Sequence, residues 1–308
     1  MSSRASRPAL DDTAAPDWTA PLTPSGNLRR RAAVDQFVHF SATAAALFAV
    51  AILVIVVYGV AVRGASALSL GFVVENPSGL ASGGIANALL GTIEIVAFGA
   101  VIALPLGILT GLYLTEFAGA QSRTAGALKL ALDMMQGLPT IVVGLFVYGL
   151  IVIPEHRESG FAGSIALAIV MLPLMARASQ EVLLLVPGSL REAADALGVS
   201  RWRTVLSVIL PAALGGIATG AILAVARAAG ETAPLLICDS IFNPDATTLN
   251  LLHGVPSISM FIFTSYDLPL PDAVVRAWGA AFVLMVMILV ANIAARLLLA
   301  RSRAKMGR

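Results

Sequence analysis

The sequence predicts an all-α integral membrane protein of six transmembrane helices, and three observations carry that prediction. Of its 308 residues, 58% are hydrophobic and only 12% charged, with a mean hydropathy of +0.88, whereas a soluble domain carries about 25% charged residues. The apolar residues come in long runs rather than half-buried stripes, and several runs reach the ~20 residues that a helix needs to cross a bilayer. Lys and Arg gather at alternate ends of those runs, the bias that sets which side of a membrane each loop occupies.

The first 40 residues are polar and rich in Ser, Pro, Ala and Asp, and are expected to form a disordered cytoplasmic tail, 1–40. They do not have the form of a signal peptide, because the first apolar run starts only near Ser41, behind Arg29-Arg30-Arg31. A transmembrane domain is expected over 41–300, with spans at 41–62, 87–114, 130–153, 161–180, 205–229 and 276–299, followed by a cytoplasmic tail at 301–308. An inside N-terminus and C-terminus place Arg4, Arg7, Arg123, Lys129, Arg177, Arg191, Arg201, Arg203 and Arg296 at or near the cytoplasmic side. The opposite side then receives only Arg63, Arg157, Arg227 and Arg276. The acidic connection carrying Asp239, Asp245, Asp267 and Asp272 faces outward, with room for a re-entrant or interfacial helix around 249–264. Pro105, Pro139 and Pro173 fall in or at the edge of spans, and such breaks belong in a helix bundle, where protein or water re-satisfies the freed backbone groups. Gly107-x-x-x-Gly111 and Gly216-x-x-x-Gly220 suit close helix packing within one subunit.

The loop between the fourth and fifth spans is the most informative stretch. Ser189-Leu190-Arg191-Glu192 has the form of a capping box, and Pro187 just upstream stops the fourth span from continuing. A short helix is therefore expected over 187–198. Leu190, Ala193, Ala194 and Leu197 repeat at the helical period as a narrow apolar stripe, with Arg191 and Asp195 off it, and Gly198 is a natural stop. Ser200 can cap a second helix. Alanines give the stripe low relief, which fits a groove in another protein better than a bed on lipid, where bulkier apolar groups beside Lys or Arg are expected.

Glu192-Ala193-Ala194, then Gly198, then Val208-x-Leu210-Pro211 resembles the EAA signature of ATP-binding-cassette (ABC) importer permeases, with Val208 in place of the usual Ile. The resemblance implies a type I importer core of the MetI-like kind, in which the short helix is the coupling helix that docks on an ATP-hydrolysing subunit. Glu192, Ala193, Ala194, Gly198, Leu190 and Leu197 would then form the coupling element.

Further stretches resemble the phosphate permeases of that class, the PstA family, over about residues 80–300. They are Gly83-Gly84-Ile85-x-Asn87-Ala88-x-x-Gly91-Thr92, Leu104-Pro105-Leu106-Gly107 and Tyr113-Leu114-Thr115-Glu116. Gly137-Leu138-Pro139-Thr140-Ile141-Val142-x-Gly144-Leu145-Phe146, Leu172-Pro173-Leu174-x-x-Arg177 and Ala226-Arg227-Ala228-x-Gly230-Glu231-Thr232-Ala233-Pro234-Leu235-Leu236 follow. The resemblance implies translocation of inorganic phosphate by alternating access, across a bacterial inner membrane. Charges inside a bilayer are costly and usually functional, and arginine offers a rigid fork of donors that matches phosphate oxygens. Arg227, near the outer end of the fifth span, and Arg177, near the inner end of the fourth, are the expected substrate-pathway residues. Glu231, one turn beyond Arg227, can neutralise that arginine, or accept the proton of monohydrogen phosphate. The plainer alternatives are a peripheral ion pair for Arg227 and Glu231, and an interfacial snorkelling arginine for Arg177. Glu94, within the second span, has no assigned role.

The chain has no Gly-rich nucleotide loop, no metal-ligand spacing among His39, His156 and His253, and no paired Ser, His and Asp. It is therefore not expected to be an enzyme or to bind a cofactor itself. The resemblance assigns ATP and Mg to a partner ATPase dimer of the PstB type, and adds a homologous PstC-type permease and an extracytoplasmic PstS-type phosphate-binding protein. Another oxyanion, sulfate or molybdate, is the alternative within the class. An ion-coupled secondary transporter is the alternative outside it, and predicts repeated broken helices while leaving the EAA-like loop unexplained.

Overall fold

A chain that must satisfy every backbone group without water crosses the bilayer as helices, and the described residues of the computed structural model are helical apart from loops and one small hairpin. It describes residues 28–79, 82–119, 122–239 and 250–306. The predicted positions Arg4, Arg7 and Asp245 lie outside the described residues, as does the tail up to residue 27. The first unit of the chain extends to Val56 and the second runs from Val57 to Arg308.

The first unit is described as most of one helix, α1 (Leu28–Gly64). Residues 28–40 are thus helical, a correction to the disordered tail expected up to residue 40. The apolar side chains of this helix show no preferred face, and all from Arg30 to Tyr58 are exposed, as befits a helix whose surroundings are apolar all round.

In the second unit a short helix, α2 (Leu70–Val74), and a small hairpin, β1 (Pro77–Gly79) with β2 (Ser82–Gly83), lead into α3 (Ala86–Leu112). α3 ends in a π-helical turn, Tyr113–Phe117. Next come α4 (Arg123–Gly137), α5 (Thr140–Val147) with a π-helical turn Tyr148–Val152, and α6 (Ile153–Glu155). The span expected at 130–153 is therefore not one straight helix: α4 and the segment from Thr140 meet at a bend of 103°. The reason lies in Gly137-Leu138-Pro139, where proline forbids the helical hydrogen bond and biases its predecessor toward extended backbone; Leu138 has ψ 134°.

α7 (Gly160–Leu184) is the centre of the packing. Both small-residue motifs press against it. A Cβ added at Gly107 would lie 2.6 Å from the Met175 Cβ, and one at Gly111 2.7 Å from the Ser179 Cβ, so only glycine lets α3 come so close. Gly220 meets Ala178 and Gly216 meets Val182 in the same way, which seats α10 (Leu210–Ala229) on α7. Ile95, Ala103, Leu167, Met171 and Ala228 form the buried core between these three helices.

Between α7 and α10 lie α8 (Gly188–Ala196) and α9 (Arg201–Thr204), the latter continued by a π-helical turn, Val205–Ile209. Beyond α10 come α11 (Ala233–Cys238), α12 (Ile258–Asp267) and α13 (Pro271–Met306). α12 occupies part of the stretch where a helix around 249–264 was expected. α13 runs on through most of the stretch read as a tail at 301–308. Asp239, expected on an outward-facing segment, is 2% exposed, and its Oδ1 accepts the Val255 N–H at 2.8 Å. Among the described residues five helices are long and apolar enough to cross a membrane, and the bent pair makes a sixth if counted as one span.

Candidate translocation and coupling sites

Two places in the second unit gather polar groups where the sequence pointed. The first is the break between α4 and α5. Pro139 caps α5 without a side-chain hydrogen bond; the Val142 N–H donates to the Pro139 carbonyl at 2.9 Å, and the N–H groups of Thr140 and Ile141 precede the helical ladder. Leu138, Thr140, Gln136, Val170, Pro173, Leu174 and Arg227 line a cavity of about 240 Å³ at this break. The Gln136 side-chain amide donates to the Pro173 carbonyl at 3.3 Å, holding the break against α7.

Arg227 stands in the last turn of α10, near the end of the fifth span as expected. Gly216 faces Val182 and Gly220 faces Ala178, so the antiparallel register brings that end of α10 level with Met171, about midway along α7. Beyond it α11 continues toward the start of α7, where Leu235 meets Gly163, a continuation the sequence did not show. The guanidinium is 59% exposed, and its Nη2 lies 3.7 Å from Glu231 Oε1. This is a loose ion pair rather than a bidentate one. Glu231 is more enclosed, at 15% exposed, and its carbonyl accepts the Ser259 hydroxyl at 3.2 Å.

Arg177 does not share that cavity. It sits one turn further along α7 and is engaged by α4: it pairs with Asp133, donates to Gln180 Oε1 at 3.1 Å, and donates to the Lys129 carbonyl at 3.4 Å. Asp133 was not singled out from the sequence. Its spacing to Gly137 places it one turn before the break, a signal visible only once the break is known.

The second place is the α8 loop. The helix starts at Gly188 after Pro187, with no side-chain cap, so the expected capping box at Ser189 does not form. Its end follows expectation: Gly198 has φ +68°, the Gly198 N–H donates to the Asp195 carbonyl and the Val199 N–H to the Ala194 carbonyl. Ser200 precedes α9 but makes no side-chain cap. The apolar stripe divides. Leu197 is 81% exposed and Leu190 38%, with Ala193 and Glu192 also exposed, whereas Ala194 turns into the chain and is buried.

The largest omission from the sequence reading is beneath this loop. Glu116, in the π-helical turn that ends α3, has a side chain only 1% exposed. Arg191, read as lying off the stripe, reaches it: Nη2 donates to Glu116 Oε1 at 2.7 Å, and Nε lies 3.3 and 3.2 Å from the two carboxylate oxygens. The same guanidinium donates to the carbonyls of Val186 at 2.8 Å and Leu183 at 3.0 Å, closing the end of α7. Arg201 Nε donates to the Glu116 carbonyl at 2.6 Å, with Nη2 3.7 Å from the carboxylate. Hydrogen bonding to Glu116 raises the Arg191 pKa; burial opposes the rise and the Glu116 charge adds to it. Among the described residues no group of His, Cys, Asp and Glu is arranged to hold a metal ion.

Residues 103–304 match the model of the binding-protein-dependent transport system inner membrane component family. The chain is 38% identical over 259 residues to the phosphate transport system permease protein PstA of Yersinia pestis, covering 83% of this chain and 87% of that one. It is 39% identical to the PstA of Haemophilus influenzae, covering 76% and 83% respectively. Among solved structures, a chain of a bacterial alginate ABC transporter superposes with a TM-score of 0.60 at 15% identity, covering 89% of this chain and 99% of that one. A chain of the inward-facing MetNI methionine ABC transporter gives 0.56 at 20% identity, covering 70% and 93%. These two likenesses establish the fold.

Proposed function

The chain belongs to the binding-protein-dependent inner-membrane permeases, and within them to the PstA phosphate permeases; from that premise we propose how its residues move phosphate. It is the multi-pass permease subunit of a phosphate ABC importer. The observation that carries the residue-level reading is the cavity that joins Arg227 to the N-terminal end of α5 midway along α7.

A broken helix whose N-terminal N–H groups face a cavity is a known way to receive an anion inside a membrane, because those groups carry the positive end of the helix dipole. Arg227 adds a full positive charge and a planar fork of donors beside it. Its loose pairing with Glu231 holds the charge neutral without occupying the fork. An arriving phosphate exchanges one anionic partner for another at little desolvation cost. Glu231 then sits where it accepts the proton of monohydrogen phosphate, a contact that sulfate cannot make. Arg177, one turn along α7 from the cavity wall, is the inner station, and it receives the anion when its pair with Asp133 opens.

The outward residues of α8, Glu192, Ala193, Leu190 and Leu197, form the docking face for a PstB-type ATPase dimer that binds ATP and Mg. Ala194 and Gly198 shape the helix from within. A homologous PstC-type permease and an extracytoplasmic PstS-type binding protein complete the complex, and both termini of the chain lie in the cytoplasm.

Radiolabelled phosphate uptake and ATP hydrolysis, measured together in proteoliposomes holding the full complex and its binding protein, test this. Wild type couples both activities and Arg227→Gln loses uptake. Uptake that follows an ion gradient without nucleotide, or normal uptake by Arg227→Gln, overturns the reading. Phosphate-over-sulfate selectivity that survives in Glu231→Gln removes the proposed role of that carboxylate.

A further inference from the structure

We propose that Glu116 is a positioning residue that pins the coupling loop to the end of α3, so that displacement of the loop moves the packed spans instead of bending the loop alone. The inference rests on the coupling role given to α8 above. The family signature in the loop does not include Glu116, which lies 75 residues before Arg191.

A short helix between two spans transmits little force unless it is held stiffly. α8 has nine residues, too few to hold their own structure in isolation, and it leads into the long helix that opens with α9. Arg191 supplies the stiffness. One guanidinium holds the Glu116 carboxylate of α3 and the terminal carbonyls Leu183 and Val186 of α7, while itself belonging to α8. Arg201 of α9 binds the Glu116 backbone and lies near its carboxylate. Phe117, beside Glu116, packs on Trp202 with ring centroids 5.9 Å apart. Four helices thus converge on one buried carboxylate, directly above the core of Leu112, Met175, Leu183, Val205 and Ile209.

The backbone beneath the pin is also unusual. Glu116 lies in one π-helical turn, Tyr113–Phe117, and the helix led by Arg201 carries another at Val205–Ile209. π turns insert an extra residue into the helix and concentrate at functional positions. The one at the end of α3 accompanies the inward placement of Glu116. A carboxylate removed from water is costly unless fully paired, so the cluster favours the closed arrangement and transmits displacement as a unit.

Coupling is read as phosphate taken up per ATP hydrolysed, in the reconstituted complex with its ATPase, partner permease and binding protein. A residue that only supports the fold lowers both activities together and leaves their ratio unchanged. Glu116→Gln keeps the shape and removes the charge, and is expected to keep ATP hydrolysis while the ratio falls about tenfold, within the range for residues on a coupling route. Arg201→Gln leaves the Glu116–Arg191 pair intact and is expected to lower the ratio about threefold. A wild-type ratio in assembled Glu116→Gln overturns the proposal. If Glu116→Gln fails to assemble, Arg201→Gln decides: a lowered ratio supports the pin and an unchanged one overturns it. If the wild-type complex moves sulfate or molybdate instead of phosphate, the substrate reading fails, and the same ratio with that anion still decides the pin. If ATP drives no anion, both readings fall.

Discussion

The two arginine sites of this chain are built in opposite ways. At the cytoplasmic loop, Arg191 is saturated: carboxylate oxygens and two backbone carbonyls accept its donors, and its carboxylate partner is 1% exposed. At the end of α10, Arg227 is 59% exposed with one long ion pair at 3.7 Å. Saturation makes an arginine structural, since opening it leaves a buried carboxylate with only the longer Arg201 pair at 3.7 Å, and breaking a buried pair costs about 3–5 kcal/mol. A loose pair leaves the fork free for a ligand. On the reading proposed above, the difference separates a residue that transmits movement from one that meets cargo, although both are arginines in a chain poor in charge. Arg177 stands between them, paired with Asp133 yet also bonded to a neighbouring side chain and a backbone carbonyl.

The largest effect that would break the comparison is at Arg227. Removing its charge with Gln should cut phosphate uptake about 100-fold, corresponding to the loss of one strong charge-assisted contact of ~3 kcal/mol, with assembly unaffected. Lysine there should recover only part of the loss, because a point charge does not reproduce the fork. Normal uptake in Arg227→Gln would make this arginine the structural one. Next, Leu197→Asp should weaken ATPase docking about tenfold or more in pull-down of the assembled complex, because it places a charge on the exposed stripe where a partner would bury it. Unchanged docking would move the interface off this face. A smaller effect is expected at Asp133→Asn, which frees Arg177: uptake changes by about two- to fivefold, since a partly exposed pair is worth about 1 kcal/mol or less. No change would assign Arg177 to packing alone.

The smallest expected effect concerns pH. Burial pushes the Asp239 carboxyl up to about 7, helped by the charges of Glu158 and Glu94, with the Val255 N–H opposing. Its folded-state pKa therefore lies above the ordinary 3.8, so the folded chain holds its proton where the unfolded chain has lost it. Stability associated with this group is highest at low pH, declines as pH rises from about 3.8 toward about 7, and stays low above that. Asp239→Asn should consequently raise Tm by a few degrees at pH 8, and by less at pH 6. Equal shifts at both pH values would show that the carboxyl is not the group responsible.

Much of the proposed translocation site was legible one residue at a time. Arg227, Glu231, Pro139 and Thr140 each stand in a stretch marked by charge or by a helix breaker inside an apolar run. Their meeting was not legible, because it depends on the register between α7 and α10, which two glycines set by contact. The coupling helix was legible in its apolar stripe and in Gly198, whose positive φ only glycine adopts without strain. Its capping box was misread: Ser189 competes with Pro187, and proline, already restricted in φ, takes the cap position two residues earlier.

The sequence by itself determined the membrane class, the approximate place of the spans, and the family, because hydropathy, helix breakers and local motifs are properties of neighbouring residues. Tertiary structure alone decided the bend of 103° that turns one expected span into two segments, the level of Arg227 along α7 and the burial of Glu116. The physical reason is sequence distance. Glu116 and Arg191 are 75 residues apart and Arg177 and Asp133 are 44, so no local period relates them. A charge at the end of an apolar run looks the same whether it faces water, a ligand or another charge, until the packing of the helices selects its partner.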